Sequence, residues 1–411
     1  MTEKIVVIAV EKQEQTSAHF HSSVEEIKSL SNTAGGTVLK VVTQKRERIH
    51  HAHYIGEGKI EETARYVQEM EIDLIIANDE LSAGQLRNLS DRLGVRIIDR
   101  SQLILDIFAQ RAHTKEGKLQ VELAQLEYML PRLRGKGLAL SRLGAGIGTR
   151  GPGETKLETD QRHIRRKIYD IKRRLKIAVS QREQYRKRRK TNNVFQIAIV
   201  GYTNAGKSTL FNRITKSHSL EEDQLFATLD PLTRQIQLPS GFQPLLTDTV
   251  GFLQDLPTTL IAAFRSTLEE VTEADFILHV VDASHPDQVQ QQDTVTSLLE
   301  ELDANMIPSL TVYNKLDKLT EDFFPANHPS IQISAFDQQD ISRLLVKIEM
   351  ILKEEWSRYS TKVSPDKGKL LNRFENETIM EERYFDEDQA IYKIKGYIRN
   401  EHPLTSKLKG N

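Results

Sequence analysis

The eight residues Gly201-Tyr202-Thr203-Asn204-Ala205-Gly206-Lys207-Ser208 fit the pattern GxxxxGK[ST] in full. Such a run works as a turn between a strand and a helix. Its glycines let successive backbone N–H groups point inward, and the helix that follows adds the partial positive charge of its N-terminus. The apolar run 195–200 supplies the strand, and residues from Lys207 on supply the helix. Further apolar runs at 276–281, 309–313 and 331–333, with a helical pattern at 289–302, extend this unit. The expected result is an α/β layer with a mostly parallel sheet and helices on both faces. Lys207 is expected to reach the β and γ phosphates of a nucleotide, and the Ser208 hydroxyl to ligate Mg2+.

About 40 residues on, Asp248-Thr249-Val250-Gly251 follows the apolar pair Leu245-Leu246. An aspartate there can hold Mg2+ through water, and the Gly251 N–H can bond a γ-phosphate. Asn314-Lys315-Leu316-Asp317 ends the strand at 309–313 and selects the base. The Asp317 carboxylate can accept from guanine N1–H and the 2-amino group. Adenine offers neither donor, and an unpaired buried carboxylate costs several kcal/mol, so GTP is expected over ATP. Asn314 can bridge base and phosphate loop, and the Lys315 stem can cover the ring. Ser334-Ala335 follows the last strand, where a backbone N–H can reach guanine O6; Phe336 stands where many such sites have lysine.

Between the two phosphate elements lies Phe226-Ala227-Thr228-Leu229-Asp230-Pro231. A threonine is needed here to ligate Mg2+ when a γ-phosphate is present; Thr228 is the choice and Thr233 the rival. Lys207, Thr228 and Gly251 are thus the candidate catalytic residues, and Ser208 and Thr228 the candidate metal ligands. The residue after Gly251 is Phe252, where a glutamine would orient the attacking water. Phenylalanine cannot do so, and intrinsic hydrolysis is expected to be slow and completed by a partner.

The rest of the chain says what that partner is made of. Net charge is −1 over 411 residues, yet residues 132–190 hold 20 Lys and Arg against 5 Asp and Glu. That concentration is the footprint of a polyphosphate partner. Leu119, Leu123, Leu126, Leu130 and Leu133 form one heptad stripe; Leu157, Ile164, Ile168, Ile171 and Leu175 form another. The pair reads as an antiparallel helical hairpin, with a glycine-rich loop at 135–155 whose side-chain-poor, basic tip suits a narrow RNA-lined space. Residues 1–112 alternate apolar runs (5–10, 37–42, 74–77, 96–98) with a helical pattern at 60–70, a second α/β layer. His50, His51 and His53 read as a surface loop, since no motif places a carboxylate partner beside them. Residues 378–398 carry β-favouring stretches of a small C-terminal sheet. Domains are expected at 1–112, 113–192, 193–358 and 359–411. Zero cysteines exclude disulfides, Cys-zinc sites and thiol catalysis. The N-terminal apolar run has six residues, too short for a signal core or a span, so a cytoplasmic location is expected, with room for a peripheral membrane fraction.

Phe226-Ala227-Thr228-Leu229-Asp230-Pro231, Asp248-Thr249-Val250-Gly251-Phe252, Asn314-Lys315-Leu316-Asp317 and above all Gly148-Thr149-Arg150-Gly151-Pro152-Gly153-Glu154-Thr155-Lys156-Leu157-Glu158 resemble the HflX GTPases, of the Obg-HflX group. The resemblance implies GTP/GDP and Mg2+ as ligands and binding to the rRNA of the large ribosomal subunit, with the glycine loop near the peptidyl-transferase region. It also implies GTP-dependent splitting of stalled or hibernating ribosomes under stress. A monomer is expected. Two other readings use the same parts: a GTPase of large-subunit assembly, and an ATP-driven RNA remodeller with a second nucleotide in the N-terminal domain. No phosphate loop precedes Gly201, which disfavours the last.

Overall fold

The computed structural model describes residues 2–133, 156–191, 193–216, 226, 231–254, 270–319, 323–325 and 327–408. It divides into two compact units: the first 180 residues together with Phe226 and Gln254, and the remainder from residue 181.

The first unit is a four-stranded parallel sheet in the order β2-β1-β3-β4, with β1 at Glu3–Lys12, β2 at Gly36–Arg46, β3 at Leu74–Ala77 and β4 at Arg96–Asp99. An inner parallel strand is covered on both faces, and Ile5, Val6, Val7, Ile8, Ala9 and Val10 are accordingly all buried. The helices are α1 (Ser17–Thr33), α2 (Glu57–Met70), α3 (Ala83–Leu93) and α4 (Arg100–Arg111), and all but α2 open on a side-chain cap. Thr16 caps α1, a reciprocal Ser82–Gln85 box opens α3, and the buried Asp99 caps α4 through the Gln102 N–H. The His50–His53 stretch is a turn: His50 Nδ1 accepts from the Ala52 and His53 N–H groups, and the rings of His51 and His53 stack on His50. Among the described residues no group of three or more His, Asp or Glu is placed to hold a metal.

Helix α5 (Lys115–Leu133) departs from the heptad expectation. Of its leucine stripe only Leu123 is buried; the covered face is Gln120, Val121, Leu123, Ala124 and Tyr128. Small and β-branched residues on that face let the helix lie close on α4, and the remaining leucines sit half-buried beside the contact. The second stripe fits α6 (Lys156–Thr191) better, with Ile171 buried and Ile164, Ile168 and Leu175 half-buried. Lys167–Glu122 and Lys172–Glu127 tie α6 to α5 at 2.6 and 2.7 Å. The glycine-rich loop, and with it the turn of the expected hairpin, lies outside the described residues.

The second unit carries a six-stranded sheet in the order β10-β9-β8-β5-β7-β6. Its strands are β5 (Gln196–Gly201), β6 (Leu232–Gln235), β7 (Leu245–Asp248), β8 (Phe276–Asp282), β9 (Ser309–Asn314) and β10 (Ser330–Gln332). All pairings are parallel except β6 with β7. Helices α7 (Lys207–Thr215), α8 (Gln288–Glu301) and α9 (Gln338–Glu355) accompany it. A three-stranded antiparallel sheet, β11 (Ser357–Val363), β13 (Ile391–Ile398) and β12 (Ile379–Asp386) in that order, closes the chain with α10 (Gly368–Glu377). It is seated on the larger sheet's core. Trp356 meets Phe195 and Phe242 edge-on at 5.5 and 5.2 Å, Ile379 joins the same cluster, and the Gln243 N–H donates to the Asn376 carbonyl. Among the described residues no helix is long and apolar enough to cross a membrane.

Candidate nucleotide site

In an open parallel sheet a ligand sits beyond the carboxyl ends of the strands, where the strand order reverses. Here β5 is flanked by β7 on one side and β8 on the other, so the crevice falls at Gly201. The four described motif segments, all but that containing Phe226, stand at carboxyl ends: Gly201 on β5, Asp248 on β7, Asn314 on β9 and Ser334 just past β10.

The phosphate loop turns on Gly206, which has φ +93° and caps α7. A Cβ there would lie 2.2 Å from Asn314 Nδ2, so both backbone conformation and space require glycine. Asn204 also takes a left-handed φ, +61°, and is exposed. The loop is laced to the segment after β7: Thr203 N–H donates to the Phe252 carbonyl (2.8 Å) and Phe252 N–H to the Gly201 carbonyl (3.2 Å). Gly251 rests against Thr203 and Lys207; a Cβ on it would meet Lys207 Nζ at 2.9 Å. Thr249 Oγ1 donates to the Ile199 carbonyl at 2.6 Å, anchoring this segment to β5, and Val250 is buried. The Phe252 side chain is fully buried in this arrangement, so it presents nothing to a phosphate.

Lys207 is buried and its ammonium donates to the Tyr202 carbonyl at 2.7 Å. Burial lowers its pKa to about 8, with Asp248 opposing and Lys315 adding to the depression. Ser208 Oγ donates to Asp248 Oδ2 at 2.9 Å, and Asp248 is wholly buried. This pairs a hydroxyl and a carboxylate, hard oxygen donors of the kind Mg2+ takes, so the residues present fit that ion. Thr233, the rival metal ligand, has its hydroxyl 3.0 Å from Thr247 Oγ1 within the β6–β7 pair.

At the other end Asn314 uses both ends of its amide inside the protein. Its Nδ2 donates to the Ala205 carbonyl, and its Oδ1 accepts the Ala335 N–H, each at 3.0 Å. One side chain therefore ties the phosphate loop, the Asn314–Asp317 loop and the Ser334 loop together. Ser334 Oγ donates to Asp317 Oδ1 at 2.6 Å, and the Leu316 N–H donates to the Ile333 carbonyl. Phe336 is exposed, with the Arg213 guanidinium 5.5 Å from its ring centroid.

Phe226 is buried in the first unit, edge-on to Phe108 at 4.5 Å. Ala227, Thr228, Leu229 and Asp230 lie outside the described residues. One pair escaped the sequence reading: Asp282, at the end of β8, stands 2.8 Å from Lys315 Nζ and is itself bonded by Ser284. The signal was an acid closing an apolar strand next to the base loop.

Three family models match: a GTP-binding GTPase N-terminal region over residues 21–109, a GTP-binding GTPase middle region over 111–189, and a 50S ribosome-binding GTPase over 196–315. The GTPase HflX of Alkalihalophilus pseudofirmus is 55% identical over 391 residues, covering 95% of this chain and 92% of that protein. The GTPase HflX of Caldanaerobacter subterraneus subsp. tengcongensis is 48% identical (97% and 93% covered), and that of Escherichia coli (strain K12) 43% (90% and 88%). Among solved structures, a GTP-binding protein from Sulfolobus solfataricus in complex with GDP superposes with a TM-score of 0.45 at 23% identity, covering 85% of this chain and 99% of that one.

Proposed function

Since the chain belongs to the HflX family of GTPases, we propose that its GTP cycle works on the ribosome, with the large subunit as binding partner and subunit splitting as the outcome. In this reading the phosphates lie in the loop Gly201–Ser208, Lys207 meets them with its ammonium, and Gly251 offers its N–H to the γ-phosphate. Ser208 and Thr228 hold Mg2+, with Asp248 behind. Mg2+, when bound, neutralises charge on the β and γ phosphates. Asp317 takes the guanine edge.

The observation that carries the ribosome reading is the charge of α6. Its 36 residues include 15 Lys and Arg against 4 Asp and Glu, on a rod roughly 54 Å long at about 1.5 Å per residue. A rod of that charge suits the phosphates of folded RNA. Support also comes from the family model over residues 196–315, described as a 50S ribosome-binding GTPase.

The test is sedimentation. Intact ribosomes are mixed with the protein and a nonhydrolysable GTP analogue. Splitting predicts separated subunits, with the protein on the large one. If ribosomes stay joined while only immature large subunits take up the protein, the assembly reading replaces this one.

A further inference from the structure

We propose that Asp282, fixed by Ser284, holds Lys315 in the stretched form that covers the guanine ring, and is thus a positioning residue for base binding; the proposal rests on reading Asn314-Lys315-Leu316-Asp317 as the base loop.

Parallel pairing of β8 with β9 ends with Asp282 opposite Asn314, and the Ala283 N–H donates to the Asn314 carbonyl at 2.9 Å. That last rung sets Asp282 beside Lys315. Lys315 is held at both ends. At its root the backbone is left-handed, φ +66°, and caps the short 3-10 turn Leu316–Lys318. At its tip Nζ lies 2.8 Å from Asp282 Oδ2, with both side chains largely withdrawn from water, at 13% and 12% exposure. The other carboxylate oxygen is occupied as well: Oδ1 accepts from the Ser284 N–H (3.0 Å) and from Ser284 Oγ (2.6 Å). The carboxylate therefore has a fixed orientation before Lys315 arrives.

A free lysine would extend its ammonium into water and move its methylenes with it. Pinned by Asp282, the four methylenes stay in place as an apolar strip, and no rotamer freedom is lost when a purine settles on them. Asp282 touches neither phosphate nor base edge in this scheme; it acts through Lys315.

The experiment measures the equilibrium affinity and release rate of a fluorescent GDP and a fluorescent GTP analogue with the full chain. In Asp282→Asn both nucleotides should bind roughly tenfold more weakly, mostly through faster release. KM for GTP should rise with kcat unchanged, because a contact common to ground and transition state is lost. Lys315→Met keeps the stem but lacks the ammonium; it should release nucleotide as fast as Asp282→Asn, and the double variant should add little. It also serves if Asp282→Asn does not fold. Wild-type release from either single variant, or fully additive losses in the double variant, would overturn the proposal. Asp317→Asn separates the two layers: if it keeps its preference for guanine, the base-loop reading itself fails. If it loses that preference while Asp282→Asn behaves as wild type, only the role of Asp282 is lost.

Discussion

At the scale of single residues the site depends on two charges, the exposed Asp317 and the buried Lys207. Asp317 is oriented by Ser334 and can discriminate bases because a carboxylate left unmet once a base covers it is costly. Asp317→Asn should exchange the acceptor for a donor and move preference from GTP to XTP by roughly 10³-fold or more, read by competition with labelled nucleotide. Lys207 gives a pH dependence. In the free protein burial makes its ammonium the costly form, whereas phosphate oxygens favour it, so binding must take up a proton once pH passes about 8. Affinity should then fall by up to about tenfold per pH unit above about 8, and calorimetry in buffers of different ionisation enthalpy should show the uptake. The stability sign is the reverse. Between about 8 and the ordinary lysine value the unfolded chain binds more protons, so this residue's contribution to folding improves as pH rises. A pH-independent affinity from 7 to 9.5 would contradict the first statement.

At the scale of elements, the parallel strands were legible because both of their faces are covered. Runs such as 5–10 and 276–281 are continuous apolar stretches, and they became β1 and β8. The phosphate and base loops were legible because their residue types admit few alternatives. The covered face of α5 was not. A leucine spacing marks a stripe that can pack, but Val121 and Ala124 lie on the covered face because close approach to α4 favours smaller residues, and Tyr128 is buried with them. Asp282 was missed for a similar reason: its role depends on which strand pairs with β9, and pairing order is a property of the whole sheet. Packing rather than charge should hold the long helices. Ile171→Ala should cost about 2–5 kcal/mol, whereas Lys167→Ala, which breaks a half-exposed ion pair with Glu122, should cost about 1 kcal/mol or less. Thermal melts of the two variants compare them directly; equal shifts would rule this out.

At the scale of the whole molecule, a GTP site and a basic rod share one chain. Phe252 is buried and has no group to orient water, so turnover by the isolated protein should be slow. Large subunits should raise single-turnover hydrolysis by roughly 10²-fold or more, and fast hydrolysis without them would count against the ribosome reading. Removing residues 144–153 should leave GTP affinity as it is and abolish the effect on ribosomes; if splitting survives, that loop is only a connector. The Asn314 amide, satisfied on both sides by Ala205 and Ala335, has one more consequence. Phosphate loop and base loops form one clasp rather than two, and a slip at this single amide would loosen both grips at once.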